Sequence, residues 1–367
     1  MLSIKTCVHS FMVKNKLIAL TLLCSIHFSS IAQMKARADF QGYNMPSHIS
    51  IRALQAVNDS TVWFAASHGV YGYTEDAGAN WFIDSIKIDS VYPEFRSMAV
   101  LDQNTVLLLS IDSPAYLFKT TTKGKQWKQV YINHTPGIFF DSMKFSDDKN
   151  GIAVGDPINN CFKIITTNNG GETWIETPCK NIPTALEGEA CFAASNSNIS
   201  VIKNKIWFAT GGSYARVFYS DDFGKHFTAT HTPIAQGGKM TGMFSLYFMD
   251  ENTGIAGGGD YEKTDSTIST LSITHNGGKT WKPIVSNESF FVSCLQQVKT
   301  KTATQLLVTG HNGTYSMDAM GSSSNVATEI TDAMGEKLKF NTLSAPAGGN
   351  TVWLAGSKGK IARIKIN

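Results

Sequence analysis

The stretch Thr167-Asn168-Asn169-Gly170-Gly171-Glu172-Thr173-Trp174 constrains this chain more than any other, because versions of it recur along the sequence. It reads as a tight turn between two strands. Asn169 folds its side-chain oxygen back onto turn N–H groups, and Gly171 takes a positive φ that a side chain resists. Trp174 opens the next strand and offers its ring to a neighbouring unit. The general form is Ser/Thr-x-Asp/Asn-x-Gly-x-x-Trp. The first copy is Thr74, Asp76, Gly78 and Trp81; the second, degenerate, is Thr120, Thr122, Gly124 and Trp127. After the Thr167 copy come Ser220, Asp222, Gly224 with Phe227, then Thr274, Asn276, Gly278 and Trp281. A sixth, near Thr331 to Leu338, keeps only Thr331 and Gly335. Successive aromatic positions lie 46, 47, 53 and 54 residues apart, a period that points to propeller blades or a solenoid.

A second marker runs in phase with the turn. It is a short apolar strand, at Val62 to Ala65, Val106 to Leu109, Ile152 to Gly155 and Ile206 to Ala209. Ile255 to Gly257, Leu306 to Thr309 and Val352 to Ala355 bring the copies to seven. Strands this apolar are buried on both faces. Each repeat therefore reads as four strands, with the apolar one second and the turn between the third and fourth. The expected fold is all-β, a seven-bladed β-propeller of four-stranded antiparallel blades. The last repeat ends with a third strand at 360–367 and lacks a fourth. Residues 36–44 have no other home, so they are expected to pair there and close the ring.

Composition sets the remaining limits. The chain is 42% hydrophobic and 17% charged, too apolar for disorder. Residues 1–32 read as a signal peptide. Lys14 and Lys16 precede the apolar run Leu17 to Leu23, and Ser30-Ile31-Ala32 offers a cleavage site before Gln33. The domain is then 33–367, exported to the periplasm or beyond, with no integral span. The leader carries three lysines and no acids, so the net charge of +3 falls to zero without it. A neutral chain gives no electrostatic case for nucleic acid. Cys161, Cys179, Cys191 and Cys294 remain, and no CxxC pair occurs, so no metal is expected. Cys179 and Cys191 either bridge a loop or stay as buried thiols.

The turn motif resembles the Asp-box, or bacterial neuraminidase repeat. Over residues 40–367 the chain resembles the secreted Asp-box propellers akin to the photosystem II stability and assembly factor. Leu186-Glu187-Gly188-Glu189-Ala190-Cys191-Phe192-Ala193-Ala194-Ser195 and Thr210 to Phe218 look like blocks of a bacterial branch often labelled oxidoreductase or glycosyl hydrolase. The resemblance implies a seven-bladed propeller outside the cytoplasm and no settled activity. The Thr122 copy and the eroded sixth copy depart from its pattern.

Candidate chemistry gathers on the face opposite the turn motif, in blades three to five. Asp156, Glu187, Glu189, His231 and Asp260 are the candidate catalytic groups, as divided acid and base or proton carriers. Arg216, Lys239, Tyr214 and Tyr261 are candidate ligand-binding groups, with Arg216 able to fork onto an anion. The competing reading is that Glu187 and Glu189 pair with Arg216 and tie blade three to blade four. Asp76, Trp81, Asn169, Gly171, Trp174, Asp222, Asn276 and Trp281 are structural. No GxGxxG precedes a helix and Ser195 is not in GxSxG, so no cofactor and no nucleophile elbow are expected. The expected function is a monomeric, non-catalytic scaffold for a protein or glycan partner. The alternative is a glycan-active hydrolase or lyase.

Overall fold

Strands that are apolar on both faces must be covered on both faces, and here the covers are other sheets. A computed structural model describes residues 35–37, 39–265, 269–299, 304–318 and 326–365, all within one unit, Met34–Asn367. The proposed signal peptide, residues 1–32, lies outside the described residues.

Seven sheets follow one another along the chain; six are built on a meander of four antiparallel strands from the axis outwards, and the seventh on a meander of three. Blade one is Ile51–Ala56, Val62–Ala66, Val70–Thr74 and Phe82–Ser85. Blade two runs from Phe95–Val100 to Lys128–Asn133, and blade three from Phe140–Phe145 to Ile175–Glu176. Blade four runs from Ile199–Ile202 to Thr228–His231, and blade five from Thr241–Phe248 to Lys282–Pro283. Blade six starts at Cys294–Lys299 and ends at Thr328–Thr331. Blade seven holds Thr342–Ser344, Thr351–Ala355 and Lys360–Lys365. The only described helix is a single 3-10 turn, Cys179–Asn181.

The second strands are buried along their length, as Val62–Ala66 and Thr351–Ala355 illustrate. Each seam between neighbouring blades holds its own apolar cluster. The seam of blades one and two packs Trp63 and Tyr71 against Phe95, Leu108 and Phe118. The ring-closing seam packs Trp353 and Ile361 against Ile51, Val62 and Phe64.

The turn motif does two jobs. In the first copy the Thr74 hydroxyl donates to Asp76 (2.8 Å) and accepts from the Gly78 N–H (3.0 Å), while Asp76 accepts from the Asn80 N–H (2.8 Å). Asn169, Asp222 and Asn276 repeat this pattern with Thr167, Ser220 and Thr274. The glycine also lies against the preceding blade. Gly171 has φ 79°, and a Cβ there would come within 2.4 Å of Leu107. A side chain of the preceding blade reaches the turn's carbonyls, as Tyr71 does to Gly124 (2.8 Å) and Thr177 to Gly224 (2.8 Å). Trp81 lies in the ring-closing seam beside Tyr43 and Trp353, while Trp281 packs on Phe248 and Trp174 on Phe145.

Closure holds with one correction. Asp39–Asn44 pairs antiparallel with Lys360–Lys365 and completes blade seven. The segment just before it departs from the expectation. Lys35–Arg37 pairs in parallel with Thr328–Thr331 and extends blade six, because that outer edge is free to take one more strand. A second correction concerns Thr331 to Leu338. Thr328–Thr331 is already the fourth strand of blade six, so the Asp332–Gly335 turn belongs to the passage into blade seven.

The cysteines give a third correction. Cys179 is bonded to Cys161, whose Cα lies 5.7 Å away, and Cys191 and Cys294 are free and buried. Cys161 opens the third strand of blade three, and the chain returns past it once the fourth strand has ended. Cys191 is carried away to the axis.

Tyr43 stacks on Trp353 (5.7 Å between centroids) and donates to Ala77 (2.6 Å), so the closing strand contributes packing as well as pairing. Partly buried Phe40 and Tyr43 contribute about 1–2 kcal/mol each before any ladder hydrogen bond is counted. A chain starting at Asp39 is expected to melt within about 3 °C of the full chain, and one starting at Met45 at least ~10 °C lower. Equal melting temperatures in calorimetry would contradict the closure.

Candidate functional site

A seven-bladed ring leaves a hole on its axis, and this chain fills it with its own backbone. Residues 191–198, on the way from blade three to blade four, form an axial plug. Asn196 accepts from the Ser97 hydroxyl (2.7 Å) and the Met143 N–H (3.1 Å) and donates to the Met98 carbonyl (2.8 Å). Ser195 donates to the Ser293 carbonyl (2.7 Å), and its own carbonyl accepts from Thr342 (3.2 Å). Ser197 meets Ser245 (2.7 Å), and its carbonyl accepts from the Leu246 N–H (2.7 Å). Blades two, three, five, six and seven are thus bonded to one short polar segment. Below the plug, towards the turn-motif face, lies a well of about 560 Å³ lined by Gln55, Lys144, Ser195 and Gln296. Lys144 is exposed to the well, and the surrounding inner strands partly desolvate its ammonium and lower it from its ordinary value.

Above the plug, β-bulges set the mouth. The inner strands of blades one, two, three and five each slip register once, between Ile51 and Ala53, Phe95 and Ser97, Phe140 and Ser142, and Met243 and Ser245. The extra residues are Arg52, Arg96, Asp141 and Phe244. A bulge re-aims its side chain, and these four line the top of the axis together. Arg52 Nη1 donates to the Ala194 carbonyl (3.3 Å), and Arg96 Nη1 to that of Ala193 (3.4 Å). Phe244 stacks on Phe192 of the plug with centroids 4.1 Å apart. Tyr261 and His311 meet edge to face at 4.8 Å and complete the wall. Burial lowers the Arg52 guanidinium, and Arg96 beside it lowers it further. His311 is also lowered, by burial first and then by Arg52. Arg52 Nε and His311 Nε2 are buried without a hydrogen-bond partner.

An acidic corner faces the arginines. Asp156 sits in a further bulge, between Gly155 and Pro157 on the second strand of blade three. One ligand atom from each of Asp141, Asp156 and Cys191 lies within 4.8 Å of the others. The Cys191 N–H donates to Asp156 (2.8 Å). Asp141 is fully buried, and neither of its carboxylate oxygens has a partner. Burial pushes its carboxyl well up, helped by Asp156 and opposed by Arg96. Asp156 is pushed up to about 6 by burial, against the pull of the Cys191 N–H. Burial, then the charges of Asp141, Asp156 and Glu189, push the Cys191 thiol up.

The other candidates are placed differently. Glu189 is enclosed, taking Arg216 Nε (2.9 Å), the Thr210 hydroxyl (2.6 Å) and the Leu186 N–H (2.9 Å), with a second Arg216 contact through Nη2. Arg216 also donates to the Thr184 carbonyl (2.9 Å). The pair is therefore the tie between blades three and four, and it is saturated. Glu187 is exposed and takes no part in it, which corrects the reading that paired it with Arg216. The tie is extended by Glu189–Ala190 and Gly211–Gly212, which add to the sheet of blade five. Gly242 makes that join possible, since a Cβ there would lie 2.2 Å from Gly211. Asp260 caps its own loop through the N–H groups of Glu262 (2.9 Å) and Lys263 (3.2 Å). His231 and Lys239 are exposed, and Tyr214 lies 6.3 Å from the His231 ring. Of the sequence candidates, Asp156 and Tyr261 reach the mouth. Arg52, Arg96, Asp141 and Phe244 were missed. A signal existed, since Arg52-Ala53-Leu54, Arg96-Ser97-Met98, Asp141-Ser142-Met143 and Phe244-Ser245-Leu246 share one form at the start of each inner strand.

No protein-family model matches the sequence, and no curated protein matches it. Solved structures do. A structure of YCF48 bound to D1 peptide aligns with TM-score 0.63 at 12% identity, covering 92% of this chain and 100% of that one. In fold, this chain is similar to YCF48. YCF48 from Cyanidioschyzon merolae aligns at 0.58 with 12% identity, covering 89% and 98%. A GH74 enzyme from Niastella koreensis aligns at 0.54 with 14% identity, covering 87% of this chain and 43% of the enzyme. YCF48 and this chain share an architecture; the bulge residues of the mouth are described from this chain alone.

The raised Asp156 carboxyl has a consequence for stability. Below pH 4 it is protonated in both folded and unfolded chains and costs nothing. As pH rises from 4 through 6 the unfolded chain ionises first, so stability falls, by up to ~3 kcal/mol at about 1.4 kcal/mol per pKa unit. Asp156→Asn is expected to be more stable than wild type at pH 7.5 in EDTA-containing buffer, with the difference vanishing near pH 4. Parallel urea-melt profiles for the two proteins across that range would contradict the assignment.

Proposed function

We propose that the chain is an exported, non-catalytic propeller that binds an acidic segment of a partner protein across its mouth. The observation that carries this is the set of unspent donors above the plug. Arg52 Nε has no partner, and the bonds that Arg52 and Arg96 make to plug carbonyls are long. Buried donors left unpaired cost free energy that an anionic ligand recovers. Phe192, Phe244 and Tyr261 stand beside them as an apolar platform. Arginine next to aromatic surface is the composition of binding hot spots. That YCF48 is found bound to a peptide agrees with a protein partner.

Export is supported by the Lys14 to Ala32 pattern and by the Cys161–Cys179 disulfide, which suits an oxidising compartment. The turn geometry supports the Asp-box resemblance, and the chain is proposed to act as a monomer. A glycan-active hydrolase is the second reading, favoured by the closeness of the Asp141 and Asp156 carboxylates. It is weakened by the complete burial of Asp141, which leaves no surface for a sugar to touch.

Screening the full chain against an acidic-peptide array and a glycan array separates the two. The scaffold reading predicts peptide binding that falls at least ~10-fold in Arg52→Ala and in Arg96→Ala, as expected for a charged hydrogen-bonding group. Sugar release that disappears in Asp156→Asn would overturn it.

A further inference from the structure

The corner formed by Asp141, Asp156 and Cys191 is not needed for the scaffold reading and does not rest on it. Two bulges and the plug spend structure on bringing two carboxylates and a thiol together. One atom from each lies within 4.8 Å of the others, a separation that a single ion can span. Asp141 is 0% exposed, and both its carboxylate oxygens lack any hydrogen-bond partner. A carboxyl group sharing a proton with a neighbour would show at least one such partner. A buried carboxylate without one is costly and is retained where something else satisfies it.

The geometry points to a transition-metal site, suited to zinc, held by Asp141, Asp156 and Cys191. Sulfur in the donor set argues against calcium or magnesium, which take oxygen ligands. Three protein donors leave the fourth position of a tetrahedral ion open. Asp156, half-buried on the mouth side, marks where that position meets solvent. Charge agrees as well. The three ionised ligands carry three negative charges, against two on the ion and one on Arg96, which acts on Asp141. The Cys191 thiol and any protonated carboxyl release their protons to solvent as the ion enters. Sequence spacing gave no hint of the site, because its members are far apart in the chain and two of them sit in bulges.

The full chain with its disulfide intact is stripped with chelator and titrated with zinc chloride in a calorimeter, then with cobalt(II) under an absorbance scan. One equivalent of zinc is expected. Cobalt is expected to give a near-ultraviolet thiolate-to-metal charge-transfer band. Asp141→Asn should weaken zinc binding by roughly 100-fold. Cys191→Ala should remove the band with the circular dichroism unchanged. Absence of stoichiometric uptake, or uptake with no thiolate band, or a band that survives Cys191→Ala, overturns the site. If the variants fail to fold, wild type still decides. Zinc should slow alkylation of Cys191 by about tenfold or more while leaving the buried Cys294 unaffected. Equal rates with and without zinc would overturn the proposal.

Discussion

A polar backbone segment cannot lie on the axis of a propeller unless every one of its buried groups finds a partner. Residues 191–198 meet most of that demand by bonding to the inner strands of the ring they fill; the buried side-chain amide of Asn198 is the exception. Asn196 is the centre of it, with bonds to Ser97, Met98 and Met143 across two blades. Ser195 and Ser197 reach the other side through Ser293, Thr342 and Ser245. The plug fixes the ring at its narrowest point and divides the axis into a mouth and a well. It also carries Cys191 to the acidic corner and Phe192 to the aromatic wall. The Glu189–Arg216 pair, just before it, anchors its root.

The mouth gets its character from where the inner strands bulge. A regular strand of this kind would present small and apolar side chains to the axis. One extra residue per strand places Arg52, Arg96, Asp141 and Phe244 there instead. Two cations, one buried acid and one ring then share a small volume above the plug. Burial acts on them in opposite senses, lowering Arg52 and His311 and raising Asp141, Asp156 and Cys191. The neutral forms gain in every case. A counter-charge, anionic at the arginines and cationic at the acids, would shift each balance back toward the charged form.

Much of the fold was legible because it repeats. Thr74, Thr120, Thr167, Ser220 and Thr274 all act through the same hydroxyl-to-glycine bond, and the apolar second strands lie in phase with them. Closure was legible from a missing strand, although residues 35–37 went to blade six, since a free sheet edge leaves no mark in the sequence. The site was less legible. Glu189 and Arg216 were found as a pair, and the pair proved to be a tie. The bulge residues were passed over because a bulge breaks the alternation by which a strand is recognised. Cys161–Cys179 was missed because both cysteines meet only once blade three has closed on itself.

Native-state hydrogen exchange over residues 191–198 tests the axial plug most directly. The account predicts protection matching that of the inner strands of blades two and three, which hold Asn196. Exchange as fast as that of the exposed loop around Gln236 and Lys239 would contradict it, and would remove the floor on which the mouth is built.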